Sequence, residues 1–222
     1  MFKGKVVALA LMLVFATSIY AGDVDDCNST AGVTCSGMKV SICPGGDFEY
    51  IRNGCKGVAD YIWIVARDNS NAPIQGIPWT DYWLNACDPL KQLWLCATPL
   101  IADSVTGVNG MTTFQGQIAA GGCTWHATAP LGIWWAIQGK PILSHPCGTN
   151  KLCLDVMIKG PDLKGASGPD GKVNLSDLVP FGTTYAKLPG NPLYNGCCDY
   201  NDDNLVNLSD FAFFGTHYTH KC

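Results

Sequence analysis

The sequence predicts a mainly β chain that ends in a small helical unit present in two copies. Three observations predict it. Short β-branched and aromatic runs alternate with Gly, Pro, Asn and Asp, and no long 3.6-residue apolar period appears in the first three-quarters of the chain. A thirteen-residue segment recurs at a spacing of 33 near the C-terminus. Finally, Glu49 is the single glutamate and every other carboxylate side chain is aspartate. Aspartate favours turns, loops and oxygen-ligand sites over helix interiors.

The chain opens with Lys3 and Lys5, an apolar run from Val6 to Phe15, and a small residue at Ala21. That is the layout of a secretory signal peptide over residues 1–21, cut after Ala21. The run is shorter than the ~20 residues a spanning helix needs, so no membrane span is expected. Twelve cysteines follow, which in an exported chain implies disulfides and a secreted, extracellular or cell-surface location. Connectivity stays open. Cys197 and Cys198 are adjacent and need different partners, and one of them with Cys222 would brace the C-terminal unit. Without Lys3 and Lys5 the chain carries 12 basic and 18 acidic residues, a net charge of −6. There is no basic patch of the kind that nucleic-acid binding requires.

Residues 22–158 form the expected β-sandwich. Met38 to Cys43 alternates in polarity. Asp60 to Ala66 is β-branched and aromatic, and the turn Arg67 to Asn71 follows. Ala72 to Pro78 reads as an edge segment with prolines near its ends. Further strands are expected at Asp81 to Asn85, Met111 to Ala119, Leu131 to Gly139 and Lys151 to Lys159, with a tight turn at Asn109-Gly110.

Residues 159–222 carry the repeat. Val173 to Tyr185 and Val206 to Tyr218 share nine of thirteen residues. Such a repeat marks one structural unit used twice. Before the second copy runs Asp199-Tyr200-Asn201-Asp202-Asp203-Asn204-Leu205-Val206-Asn207-Leu208-Ser209-Asp210. Oxygen-bearing side chains fall at its positions 1, 3, 5, 9 and 12, where a loop curled round Ca2+ points its ligands inward, and position 7 offers a carbonyl. The expected ligands are Asp199, Asn201, Asp203 and Asp210 by side chain, Leu205 by carbonyl, and Asn207 through water. Asn204 stands where glycine is usual and tolerates the left-handed conformation needed there. In the first copy Asp170, Gly171, Asn174 and Asp177 match, with Lys172 offering its carbonyl. Ala166 and Gly168 offer no ligand at positions 1 and 3. Asp162 replaces the first of them if Leu163 to Ala166 loop out as an insertion. After each loop a helix is expected to align Leu178, Phe181 and Tyr185, or Phe211, Phe214 and Tyr218, on one apolar face, and the two faces should pack together.

Two resemblances follow from these residues. Val65-Ala66-Arg67-Asp68, Ala72 to Pro78, and Ala102-Asp103-Ser104 with Asn109 to Thr113 resemble bacterial Ig-like domains of the invasin type, which implies an Ig-like sandwich. The duplicated loop and helix are similar to a type I dockerin module, an EF-hand-like loop without its entering helix. That resemblance implies Ca2+ as cofactor and a cohesin-like module as partner, in an extracellular and often polysaccharide-degrading assembly. It also implies a contact surface on the helices and at loop positions 10 and 11, here Leu175-Ser176 and Leu208-Ser209, so that either half can bind.

No G-x-S-x-G elbow, H-E-x-x-H motif or pair of placed glutamates occurs, so the chain is expected not to be an enzyme. Two other roles remain open. In one, the module binds the Ig-like part of another copy of the chain, making a subunit of an extracellular fibre or surface layer. Alternatively, some of the seven tryptophans could form a polysaccharide-binding face, although most are expected in the core. His217, His220 and Cys222 are metal-ligand types, but are expected to form a surface tail.

Overall fold

The structure is a computed structural model. It describes residues 22–35, 37–45, 51–52, 61–87, 93–96, 100–116, 118–125, 132–142, 153–154, 156–164 and 168–222. The expected signal peptide lies outside them, as do Ala166 and parts of four expected strands (Asp60, Gln117, Leu131, and residues 151, 152 and 155).

Eleven strands are defined among the described residues: β1 (Thr30–Val33), β2 (Met38–Ser41), β3 (Ile51–Arg52), β4 (Ile62–Val65), β5 (Tyr82–Ala86), β6 (Leu93–Leu95), β7 (Met111–Phe114), β8 (Ala120–Gly122), β9 (Ile133–Ile137), β10 (Lys140–Ile142) and β11 (Val156–Lys159). Two helices follow, α1 (Leu175–Thr184) and α2 (Leu208–His217). The mainly β expectation holds. The strands form four small sheets, in the orders β1-β4-β7, β10-β9-β5, β11-β2-β3 and β6-β8. β11 runs parallel to β2, with Val156 opposite Met38. Neither the four-sheet grouping nor the parallel pair supports an Ig-like two-sheet sandwich.

Alternation places the core. On β4, Ile62 and Ile64 are buried while Trp63 and Val65 are half-buried. Trp135 on β9 is fully enclosed, with the rings of Tyr82 and Phe114 edge-on to it at 6.3 and 6.0 Å. Such edge-on pairs add to area burial. The expected edge segment Ala72 to Pro78 forms no continuous ladder: Pro73 bridges Arg67, and Gly76 donates to the Thr106 carbonyl at 3.0 Å, since proline brings no N–H to a ladder. The Asn109-Gly110 turn is present: Gly110 has φ 75° and donates to the carbonyl of Gly107 at 2.9 Å.

The C-terminal unit has its own apolar core, including Val173, Phe181, Tyr194, Cys198, Tyr200, Val206 and Phe214, with Cys43 from the β region among them. The expected helix faces meet: the Phe181 ring lies 5.6 Å from Phe211 and 6.2 Å from Phe214. Each helix starts at a reciprocal cap. The Asn174 side chain accepts from the Ser176 N–H while the Asp177 side chain accepts from the Asn174 N–H, and Asn207, Ser209 and Asp210 repeat this. The copies also strap each other. Just past α1, the Ala186 N–H reaches the Val206 carbonyl at 2.8 Å. Just past α2, the Thr219 N–H reaches the Val173 carbonyl at 2.9 Å.

The unit is bolted to the β region. Cys123–Cys197 and Cys96–Cys222 are disulfides across the junction, and Cys87–Cys153 closes a third loop within the β region. This corrects the expected bracing of Cys222 by Cys197 or Cys198. Cys222 leaves the unit to reach Cys96, so the bond ties two regions together. No helix among the described residues is long and apolar enough to cross a membrane.

Candidate metal centre

The second loop gathers three carboxylates. Asp199 and Asp210 are buried and Asp203 is exposed, and one oxygen from each lies within 4.8 Å of the others. Local bonding places them. The Asp199 carboxylate accepts from the Tyr194 hydroxyl at 2.8 Å, the Asp203 N–H at 3.2 Å and the Asn204 N–H at 3.1 Å. Asp210 accepts from the N–H groups of Tyr200, Asn201 and Asn207 at 2.7, 3.3 and 3.0 Å. Asp203 accepts from the Leu205 N–H at 2.8 Å and the Asn201 side-chain amide at 3.0 Å. The Asn207 amide donates to the Leu205 carbonyl at 3.2 Å, which holds these two residues beside each other. Asn204 has φ 66°, the left-handed conformation its position requires.

All the donors to these carboxylates are neutral. The described ammonium groups that face the loop, those of Lys39 and Lys159, go to Asp202 instead. Three converging carboxylates without a cation carry a charge that a divalent, oxygen-seeking ion would neutralise. The residues present therefore fit Ca2+. Burial raises Asp210 above the ordinary carboxylate range against the pull of its N–H donors, whereas the Asn201 amide holds exposed Asp203 below it.

The first loop repeats this bonding with a longer chain. The Asp162 carboxylate accepts from the N–H groups of Asp170 and Gly171, at 3.1 and 2.8 Å, as Asp199 does from Asp203 and Asn204. Asp177 accepts from Leu163 and Lys164, both at 2.8 Å, as Asp210 does from Tyr200 and Asn201. Asp170 accepts from the Lys172 N–H at 3.1 Å, as Asp203 does from Leu205. Asp162 thus stands at position 1. Lys164 stands at position 3, so the insertion follows Lys164 and does not begin at Leu163. The exposed Lys164 side chain replaces Asn201, and the three carboxylates of this loop do not converge as those of the second do. Burial pushes Asp162 up to about 6, with the Asp170 and Gly171 N–H groups opposing it, and burial also raises Asp177.

The residues at loop positions 10 and 11 sit at the helix starts. Leu175 and Leu208 are 66% and 70% exposed; Ser176 is half-buried and Ser209 exposed. Of the seven tryptophans only Trp79 and Trp94 are exposed. The terminal histidines do not form the expected surface tail. His217 is buried, Cys222 is committed to its disulfide, and Cys43 is the thiol that meets them. The repeat spacing carried no signal for a residue so distant in sequence.

No protein-family model matches the chain, and no curated protein does. Two solved structures align over 86% of this chain and 97% of theirs, at 14% identity and a TM-score of 0.29. Both are crystal structures of type II cohesin–X-dockerin complexes from Acetivibrio cellulolyticus, one an N-terminal and the other a C-terminal interface mutant. At that TM-score the alignment establishes no common fold.

Proposed function

We propose that this chain is an exported, non-catalytic adaptor whose C-terminal unit is a dockerin-like module, ordered by Ca2+ and docking a cohesin-like β-rich partner. The observation that carries the proposal is the pair of matching loop-and-helix units. Each presents an exposed leucine beside a serine, Leu175-Ser176 and Leu208-Ser209, at the helix start that its aspartate loop holds in place. Val179 and Phe211 extend the exposed apolar surface along the helices. Apolar anchors ringed by polar groups suit a protein partner. Because the pair occurs twice, either copy can make the contact.

Calcium titration by calorimetry, with melts in calcium and in calcium-free buffer, tests the first half. Binding with a raised melting temperature is expected, and no heat with no shift would refute it. Capture of a recombinant cohesin-like module tests the second half. L175D and L208D singly should leave binding through the other copy, and L175D/L208D together should abolish it. Binding unaffected by the double change would place the surface elsewhere.

A further inference from the structure

Where the chain ends, a second cluster of ligand-type side chains lies apart from the aspartate loops. The Nδ1 atoms of His217 and His220 are 3.4 Å apart, and Cys43 Sγ is 3.4 Å from His220 Nδ1. One donor atom from each of the three lies within 4.8 Å of the others. A tetrahedral ion with metal–nitrogen bonds of about 2.0–2.1 Å and a metal–sulfur bond of about 2.3 Å has N···N edges of about 3.3 Å and S···N edges of about 3.5 Å. The two measured edges match that geometry. We propose that Cys43, His217 and His220 supply three ligands to a site for a zinc-class divalent ion.

The repeat shows how the site is made. Tyr185 and Tyr218 end the two helices with the same backbone conformation, and Ala186 (φ 57°) and Thr219 (φ 75°) then turn left-handed. The second turn brings residue 220 back over residue 217. In the first copy the two equivalent positions hold Thr184 and Lys187, and Thr184 is spent accepting the Asn195 N–H at 2.7 Å. Only the second copy carries imidazoles there. A left-handed β-branched residue such as Thr219 is an outlier, and here it orients His220.

Cys43 arrives from the β region, two residues past β2, and is fully buried in the core of the C-terminal unit. It is not in a disulfide, and its thiol contacts the Pro44 carbonyl at 3.1 Å. His217 is held against the Phe213 ring at 4.5 Å, and Phe213 stacks on Tyr200 at 4.8 Å. Two imidazoles and a thiolate are the donor set that borderline-soft ions select, whereas Ca2+ prefers the oxygens of Asp199, Asp203 and Asp210. On binding, the thiol proton passes to solvent and the sulfur lone pair to the metal. The ion would join residue 43 of the β region to the end of α2. His220 is half-buried and is the ligand nearest solvent.

The test uses the purified, air-oxidised chain, stripped of metal, returned to excess calcium and titrated with Co2+. One Co2+ per chain is expected, with a thiolate-to-cobalt charge-transfer band and tetrahedral d–d bands, both removed by Zn2+. C43S should lose the charge-transfer band. H220Q, at the half-buried ligand, should weaken Co2+ binding by at least about tenfold and leave the calcium response intact. The absence of a thiolate–cobalt band in the parent chain would overturn the site. So would non-reducing peptide mapping that finds Cys43 joined to Cys198, the other buried cysteine outside the described disulfides.

Discussion

The buried ammonium of Lys159 donates to the main-chain carbonyl of Asp199 at 2.7 Å. The last residue of β11 thus grips the first residue of the second aspartate loop. The same ammonium pairs with Asp202, which Lys39 on β2 also reaches at 3.0 Å. K159M leaves a buried carbonyl without its donor, while Asp202 keeps Lys39. The expected loss is about 1–3 kcal/mol in urea unfolding, with weaker calcium binding because Asp199 loses its anchor. An unchanged midpoint and affinity would mean that the loop holds its shape without the β region.

Asp199 and Asp203 differ in a way that separates folding from metal binding. Asp199 is buried and organises three donors, so D199A should destabilise the chain even without calcium. Asp203 is exposed, so D203N should leave the calcium-free melt nearly unchanged. Both should remove the second-loop calcium in calorimetry. A D203N protein that binds calcium as the parent does would exclude Asp203 as a ligand.

The first loop should show in the pH dependence. Burial pushes Asp162 up to about 6 in the folded, calcium-free chain, against about 3.9 when unfolded. The folded state therefore holds this proton more tightly. The stabilisation is complete below about pH 4 and is lost as pH rises through about 6. Calcium favours the ionised carboxylate, so its effect runs the other way and should grow over the same interval. Melts of the parent and D162N across this range, with and without calcium, check both signs. D162N should flatten each curve, and a parent profile identical to that of D162N would rule out Asp162 as the titrating group.

Local pattern was legible and long-range pairing was not. The repeat pointed to both helices and to the left-handed Asn204, because each depends on neighbours a few residues apart, and the duplication of one apolar helix face pointed to the meeting of Phe181 with Phe214. Asn174 and Asn207 do more than their loop positions implied, since each caps a helix in exchange with Asp177 or Asp210. The place of the insertion was hidden because Asp177 draws in the N–H groups of Leu163 and Lys164 from more than twelve residues away. The Cys96–Cys222 and Cys123–Cys197 bonds were hidden for the same reason, and so was the arrival of Cys43 beside His220. The three-residue strands β6 and β8 are too short to show a period. Gly121 on β8 reads only as a weak strand former, yet a Cβ there would fall 1.9 Å from an Asp162 carboxylate oxygen. Its bare backbone is what lets the first loop lie against the β region.

The Cys96–Cys222 bond closes the longest of the three described disulfide loops, at a separation of 126 residues. Its loss as C96A/C222A should cost about 2–4 kcal/mol, as such cross-links restrict the unfolded chain. The damage should also be local. The Cys222 N–H donates to the Gly171 carbonyl at 2.9 Å, and Gly171 lies against Cys222 Sγ and the Trp94 indole. Gly171 in turn donates to Asp162, so a released C-terminus loosens the first loop at the residue that positions its buried carboxylate. The second loop is held by Lys159 and by Cys123–Cys197, which remain. Hydrogen exchange should therefore speed up at the amides of Asp170 and Gly171 while those of Asp203 and Asn204 keep their protection. Equal acceleration at both loops would show that the two copies open together, coupled through Ala186–Val206 and Thr219–Val173.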